Sequence, residues 1–185
     1  AAAATADAKQ AMLAAAQTME SFYAMNMTYV GSSTGTTPTI FATNSGVLIV
    51  PKGNPAQVSG VDGSLDGTRL VVCAPAVPCG ATALEIAEAA GVTLKPVSEE
   101  QKVTDVRGKV SSGEADAGIV FATDAKAAGD AVETIAVDPE KKLATRYPMA
   151  IVTDAPHAEA ARAFIDLVLS DRGQAVLASY GFGTP

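Results

Sequence analysis

Residues 68–91, TRLVVCAPAVPCGATALEIAEAAG, decide the fold class. TRLVVCAP (68–75) carries a short apolar run bounded by turn residues, the pattern of a buried strand. PCGATALEIAEAAG then spaces Leu84, Ile86 and Ala89 as a helix, and Gly91 is a natural stop because it accepts the left-handed conformation that ends helices. A strand feeding a helix through a tight turn is the unit from which α/β proteins are built.

The same alternation extends in both directions. Upstream, VLIVP (47–51) reads as a second buried strand ending at a Gly-Asn-Pro turn, and VDGSLDG (61–67) as loop. Farther upstream, the Ala-rich residues 1–20 read as helix from about Thr5 or Asp7, and NMTYV (26–30) as a short strand before the turn-like GSSTGTTPT. Downstream, LKPV (94–97) is a weak strand. The Glu99–Glu100 pair suits the first turn of a helix, with Val103, Val106 and Val110 as its apolar stripe. IVFATD (119–124) is a strand running into a helix start at Thr123 or Asp124. ETIAVD and RYPMAIVTD are further strands, and residues 157–182 give two helices meeting near Ser170 and Asp171. The expected class is α/β, with mostly parallel sheets flanked by helices.

Composition removes several functions. The chain has 185 residues, 20 acidic against 13 basic side chains and a formal net charge of −7. That balance opposes nucleic acid and anionic membranes, which are held by dense Lys/Arg patches. No run approaches the roughly 18 apolar residues that span a bilayer. The single His157 excludes a multi-histidine metal site and reads as a surface residue at a helix start. Ser32 and Ser33 have no neighbouring His to activate them. Asp105, Asp116 and Asp124 read as caps or solvated charges. Gly60, Gly63 and Gly67 lack the strand–glycine–helix setting of a dinucleotide site.

Two features carry possible chemistry. Cys73 and Cys79 are separated by five residues, which matches neither a zinc pair nor a two-residue redox motif. They read either as a loop disulfide, implying an oxidising compartment, or as two free thiols. Small uncharged residues also recur at strand-to-helix junctions: AAAAT (1–5), GSST (31–34), PCGAT (78–82), FAT (121–123) and the start at Val103-Thr104-Asp105. Helix starts expose unpaired N–H groups and a positive dipole end, which accept anions. No Lys or Arg is expected at these turns, Arg107 lying inside a helix, so an anion there would be held by neutral donors. Every α/β protein also has small residues at such junctions, and this plainer reading stays open.

At VVCAPAVPCG the chain resembles the molybdate-binding proteins of bacterial ABC importers. GSST, FATN, VPKGNPA, EEQKVTDVRGKV, GEADAGIVFATDA, YPMAIV and GQAVLASYGF follow in family order. The resemblance implies a two-lobed, type II periplasmic-binding-protein architecture. Residues 1–46 plus 148–185 would form lobe one and 47–147 lobe two. It implies an extracytoplasmic, non-enzymatic monomer, in the periplasm or lipid-anchored on the outer face of the membrane. Such a protein closes on molybdate or tungstate, needs no cofactor and delivers its ligand to the importer's membrane subunits. Matched position by position, the oxyanion contacts fall at Ala4, Ser32, Cys79, Val106 and Phe121. Family members commonly have Ser at Ala4 and Tyr at Phe121, so two hydroxyls are missing here, and Thr5 or Thr123 could substitute. They also carry a further stretch between the GSST helix and FATN, so lobe one is expected to be incomplete. The alternatives are another oxyanion such as sulfate, or a thiol–disulfide oxidoreductase using Cys73 and Cys79.

Overall fold

The computed structural model describes residues 37–137 and 143–185. Its elements follow the alternation in the sequence. β1 (Thr39–Asn44) and β2 (Gly46–Pro51) are followed by a 3-10 turn and then β3 (Leu70–Cys73), α1 (Pro78–Ala90), β4 (Ser98–Glu100) and α2 (Val103–Ser111). β5 (Ala117–Phe121), α3 (Ala122–Ala128), β6 (Val132–Ala136), β7 (Thr145–Met149), α4 (Ala158–Leu169) and α5 (Asp171–Ser179) complete the described chain. The helix expected in 1–20 and the strand at 26–30 lie outside the described residues.

The chain divides into two compact units, Ala1–Phe41 with Tyr147–Ala175 and Pro185, and Ala42–Arg146 with Val176–Thr184. β1 pairs with β7 in a two-stranded sheet, and the division falls inside both strands and inside α5. In the first unit, the Phe41 and Tyr147 rings lie 6.3 Å apart. Gln174 Nε2 donates to the Phe41 and Val168 carbonyls, each at 3.0 Å. Ser170 caps α5 through the Gly173 N–H, as the sequence suggested.

The second unit is built on a five-stranded sheet in the order β4-β3-β5-β2-β6. β3 runs parallel to both β4 and β5, while β2 runs antiparallel to β5 and to β6. Four strands therefore point one way and β2 alone is reversed, a refinement of the expected mostly parallel sheet. β2 is joined to neither neighbour by a helical crossover, the connection that parallel partners need; that crossover runs from β5 to β6, on either side of it.

Alternation along the strands sends side chains to two faces. Val47, Ile49, Val71, Cys73 and Val120 pack with Val106 and Val110 of α2. Leu48, Val50, Leu70, Val72 and Ile119 pack with Ala83 and Ile86 of α1. Helices on both faces explain why β2 and β3 are apolar throughout. Gly118 lets α2 approach: a Cβ there would lie 2.8 Å from Val106 Cγ1 and 3.0 Å from Val110 Cγ2.

Four local expectations are corrected. The short strand is Ser98–Glu100 and not 94–97, because Pro96 has no N–H for a ladder. Glu99 and Glu100 accordingly sit in a strand and not in a helix. α3 begins at Ala122, one residue before Thr123, with Phe121 as its N-cap. In α1, Ala83, Ile86 and Ala87 line the buried face at i, i+3 and i+4, leaving Leu84 50% exposed and Ala89 outside. Gly91 does end α1, at φ +67°.

Candidate functional site

β4, β3 and β5 are adjacent and parallel, and each is followed by a helix. The starts of α2, α1 and α3 therefore gather along one edge of the sheet, at the carboxyl ends of those strands. This is where open α/β sheets bind ligands. β2 begins at the same edge, since Gly46 is paired with Phe121.

None of the three helices has a side-chain cap. α1 opens with Val77 as N-cap and Pro78 in its first turn, so that turn already lacks one donor. The Gly80 and Ala81 N–H groups close onto the Val77 carbonyl at 2.9 and 3.1 Å. In α2 the Lys102 carbonyl accepts from Asp105 N–H at 3.0 Å. At α3, Ala122 N–H donates to the Ser45 carbonyl at 2.9 Å, joining the helix start to the entry of β2. First-turn N–H groups left without side-chain acceptors are available to an external one.

Three of the five expected contacts fall on this edge. Cys79 is the second residue of α1, Val106 the fourth of α2 and Phe121 the N-cap of α3. Cys79 and Val106 belong to one hydrophobic cluster, and the half-buried Phe121 packs against it. Ala4 and Ser32 lie outside the described residues, so their geometry is not described. A groove beside α1, lined in part by Val72, Gly80, Leu84 and Leu94, includes none of these three residues.

Cys73 and Cys79 are joined in a disulfide, with Cα atoms 5.6 Å apart. It ties the end of β3 to the first turn of α1. Both half-cystines are buried, Cys73 1% and Cys79 7% exposed. Disulfide exchange needs access to a sulfur, which burial of this degree restricts.

The electrostatics of the edge depart from expectation in one respect. Lys102 is the N-cap of α2, so a cation does stand at one of these turns. It is exposed, and its charge adds to the positive end of the helix dipole. Arg107 lies 4.0 Å from Asp124 in the first turn of α3. Burial pushes the Asp124 carboxyl above its ordinary value, opposed by Arg107 and by the Phe121 N–H. Behind the edge, Lys109 of α2 donates to Glu100 of β4 at 2.6 Å, and that bond with Ser98's holds the Glu100 carboxyl below its ordinary value. At the opposite edge, Arg69 grips Asp116 with three donors, Nη2 at 2.6 Å, its backbone N–H at 2.8 Å and Nε at 3.2 Å.

Sequence reasoning passed over Asn44. It is only 3% exposed, and its Nδ2 donates to Thr123 Oγ1 at 3.0 Å. The signal was a polar residue between two apolar strands, in FATNSGVLIV.

Comparison with known proteins gives the family. A family model described as bacterial extracellular solute-binding protein matches residues 2–183. The chain belongs to that family. This solute-binding protein is 38% identical, over 149 residues, to the molybdate-binding protein ModA of Mycobacterium tuberculosis, a match covering 80% of this chain and 57% of the relative. It is 30% identical over 154 residues to the putative ABC transporter substrate-binding lipoprotein YvgL of Bacillus subtilis, covering 75% of this chain and 55% of that one. The solute-binding protein thus spans little more than half the length of these relatives. A solved substrate-binding domain of a putative molybdenum ABC transporter from Clostridium difficile superposes with a TM-score of 0.68 at 24% identity, covering 80% of this chain and 67% of that one. That likeness establishes a shared fold. Among the described residues, no helix is long and apolar enough to cross a membrane.

Proposed function

We propose that this solute-binding protein captures molybdate or tungstate outside the cytoplasm and delivers it to the membrane subunits of an ABC importer. It acts as a monomer, without a cofactor and without changing any bond in the ligand. The proposed lobes are 1–46 plus 148–185, and 47–147. The proposed contacts are Ala4, Ser32, Cys79, Val106 and Phe121.

The observation that supports this reading is the edge where α1, α2 and α3 begin without side-chain caps, beside the Cys79 and Val106 backbone. A dianion costs far more to desolvate than any single bond returns. Hydrogen bonds to a charged group are worth about 1.5–3 kcal/mol each, so several must converge. A set of donors suits an ion that carries no proton of its own, whereas a protonated phosphate also needs an acceptor. Molybdate and tungstate are larger than sulfate, so cavity size provides the discrimination. The name of the Mycobacterium tuberculosis relative agrees with this ligand class.

Calorimetry on the purified chain, paired with element analysis for molybdenum, tungsten, sulfur and phosphorus, tests the proposal. Saturable binding of molybdate and tungstate with little response to sulfate is expected. Equal affinity for sulfate would overturn the size argument, and no binding of either heavier oxyanion would overturn the reading. The burial of both half-cystines gives the oxidoreductase alternative no support.

A further inference from the structure

The buried carboxamide of Asn44 is only half satisfied. Its Nδ2 donates to Thr123 Oγ1, while its Oδ1 is buried with no hydrogen-bond partner among the described residues. An unpaired buried acceptor is costly, and such an exception in a native fold calls for a reason. Asn44 ends β1, one residue before the Ser45 carbonyl that receives the Ala122 N–H, and two before Gly46, which pairs with Phe121. It therefore stands at the sheet edge that carries Cys79 and Val106.

We propose that Asn44 and Thr123 form a two-residue relay in which Asn44 fixes the Thr123 hydroxyl as a donor to the bound oxyanion. A hydroxyl carries one proton and two lone pairs. Because Thr123 Oγ1 accepts from Asn44, its own proton is left to give elsewhere. The donor is this side-chain hydroxyl; the dipole of the short helix α3 plays no part in the relay. The orphaned Oδ1 follows from the same geometry: turning Nδ2 toward Thr123 leaves the other end of the amide without a donor. An acceptor oxygen repels a bare dianion, so the Thr123 proton, and not Asn44, meets the ligand. Asn44 is thus a positioning residue and Thr123 a binding residue.

The inference rests on the oxyanion-binding reading, and the test separates the two. Sodium molybdate and sodium tungstate are titrated calorimetrically into the unsubstituted 185-residue chain, Thr123→Val, Thr123→Ser, Asn44→Ala and the Asn44→Ala/Thr123→Val double variant, with melting followed in parallel. Thr123→Val keeps the shape but not the hydroxyl and is expected to bind about ten- to a hundredfold more weakly, as for a lost hydrogen bond to a charged group. Thr123→Ser restores the hydroxyl and is expected to bind within a few-fold of the original. Asn44→Ala is expected to weaken binding when Thr123 is present and to add little in the Thr123→Val background. A purely structural coupling between these contacting residues would also lower the melting temperature in step with affinity, whereas the relay predicts a loss of affinity in Thr123→Val with melting nearly unchanged. Thr123→Val binding as tightly as the unsubstituted chain, or an Asn44→Ala effect of equal size in both backgrounds, would overturn the relay alone. Failure of the unsubstituted chain to bind either oxyanion would overturn the functional reading, and the relay with it.

Discussion

Replacing Gly80 with Ala is expected to lower the melting temperature of the second unit by about 5–10 °C and to weaken oxyanion binding in the same variant. A Cβ at residue 80 would lie 1.9 Å from the Ala74 carbonyl oxygen, 2.5 Å from its carbon and 2.8 Å from the Cys73 oxygen. All three are backbone atoms, and the loop that carries them is held at one end by the Cys73–Cys79 bond. Neither side can yield as a flexible side chain would. Overpacking of this kind costs about 1–3 kcal/mol or somewhat more. One kcal/mol corresponds to roughly 2–4 °C in a chain of this size. The start of α1 must shift to make room, taking the Cys79 N–H with it, so affinity and stability should fall together. Calorimetric melting and a molybdate titration provide the check. A variant that melts and binds like the original would mean that the β3–α1 turn is not packed as described.

Removing the disulfide should have the second large effect. Cys73→Ala/Cys79→Ala is expected to lose about 2–3 kcal/mol in urea unfolding. The bridged residues are six apart in sequence. Closing so short a loop removes less unfolded-chain entropy than a long one would, which places the effect at the lower end of disulfide stabilisation. Ala is preferred to Ser because both sites are buried and a hydroxyl would need a partner there. Reducing the unsubstituted protein should reproduce the loss. An unchanged unfolding midpoint would show that the six-residue span needs no covalent brace.

Much of the second unit was legible in the sequence because its signals are local. VLIVP and TRLVVCAP are dense apolar runs between turn residues, and they became β2 and β3. Val103, Val106 and Val110 gave α2, with Val106 and Val110 buried. Gly91 marked the end of α1. The misplaced details depend on tertiary context. The direction of β2 depends on which strands flank it, and the apolar run alone carries no such information. Ser98–Glu100 forms a strand because it lies beside Val71–Cys73, a neighbour distant in sequence. At the candidate site, the junction pattern marked three helix starts, the family resemblance supplied Cys79, Val106 and Phe121 within them, and parallel pairing placed those starts on one edge. Lys102 was missed because the start at Val103 was read without the residue before it, and that residue is the N-cap. Asn44 was missed because burial of a polar side chain is a property of the packed unit, and its partner Thr123 is 79 residues away.

The central claim is that backbone N–H groups where α1 and α2 begin hold a tetrahedral dianion. The most direct measurement is the amide spectrum of the isotopically labelled chain, recorded before and after one equivalent of molybdate. The Cys79 and Val106 amide protons should show the largest shifts among the described residues and become slower to exchange with water. If they stay unmoved while the largest changes fall along the Val72–Leu94 groove beside α1, the oxyanion is held elsewhere and the account is wrong.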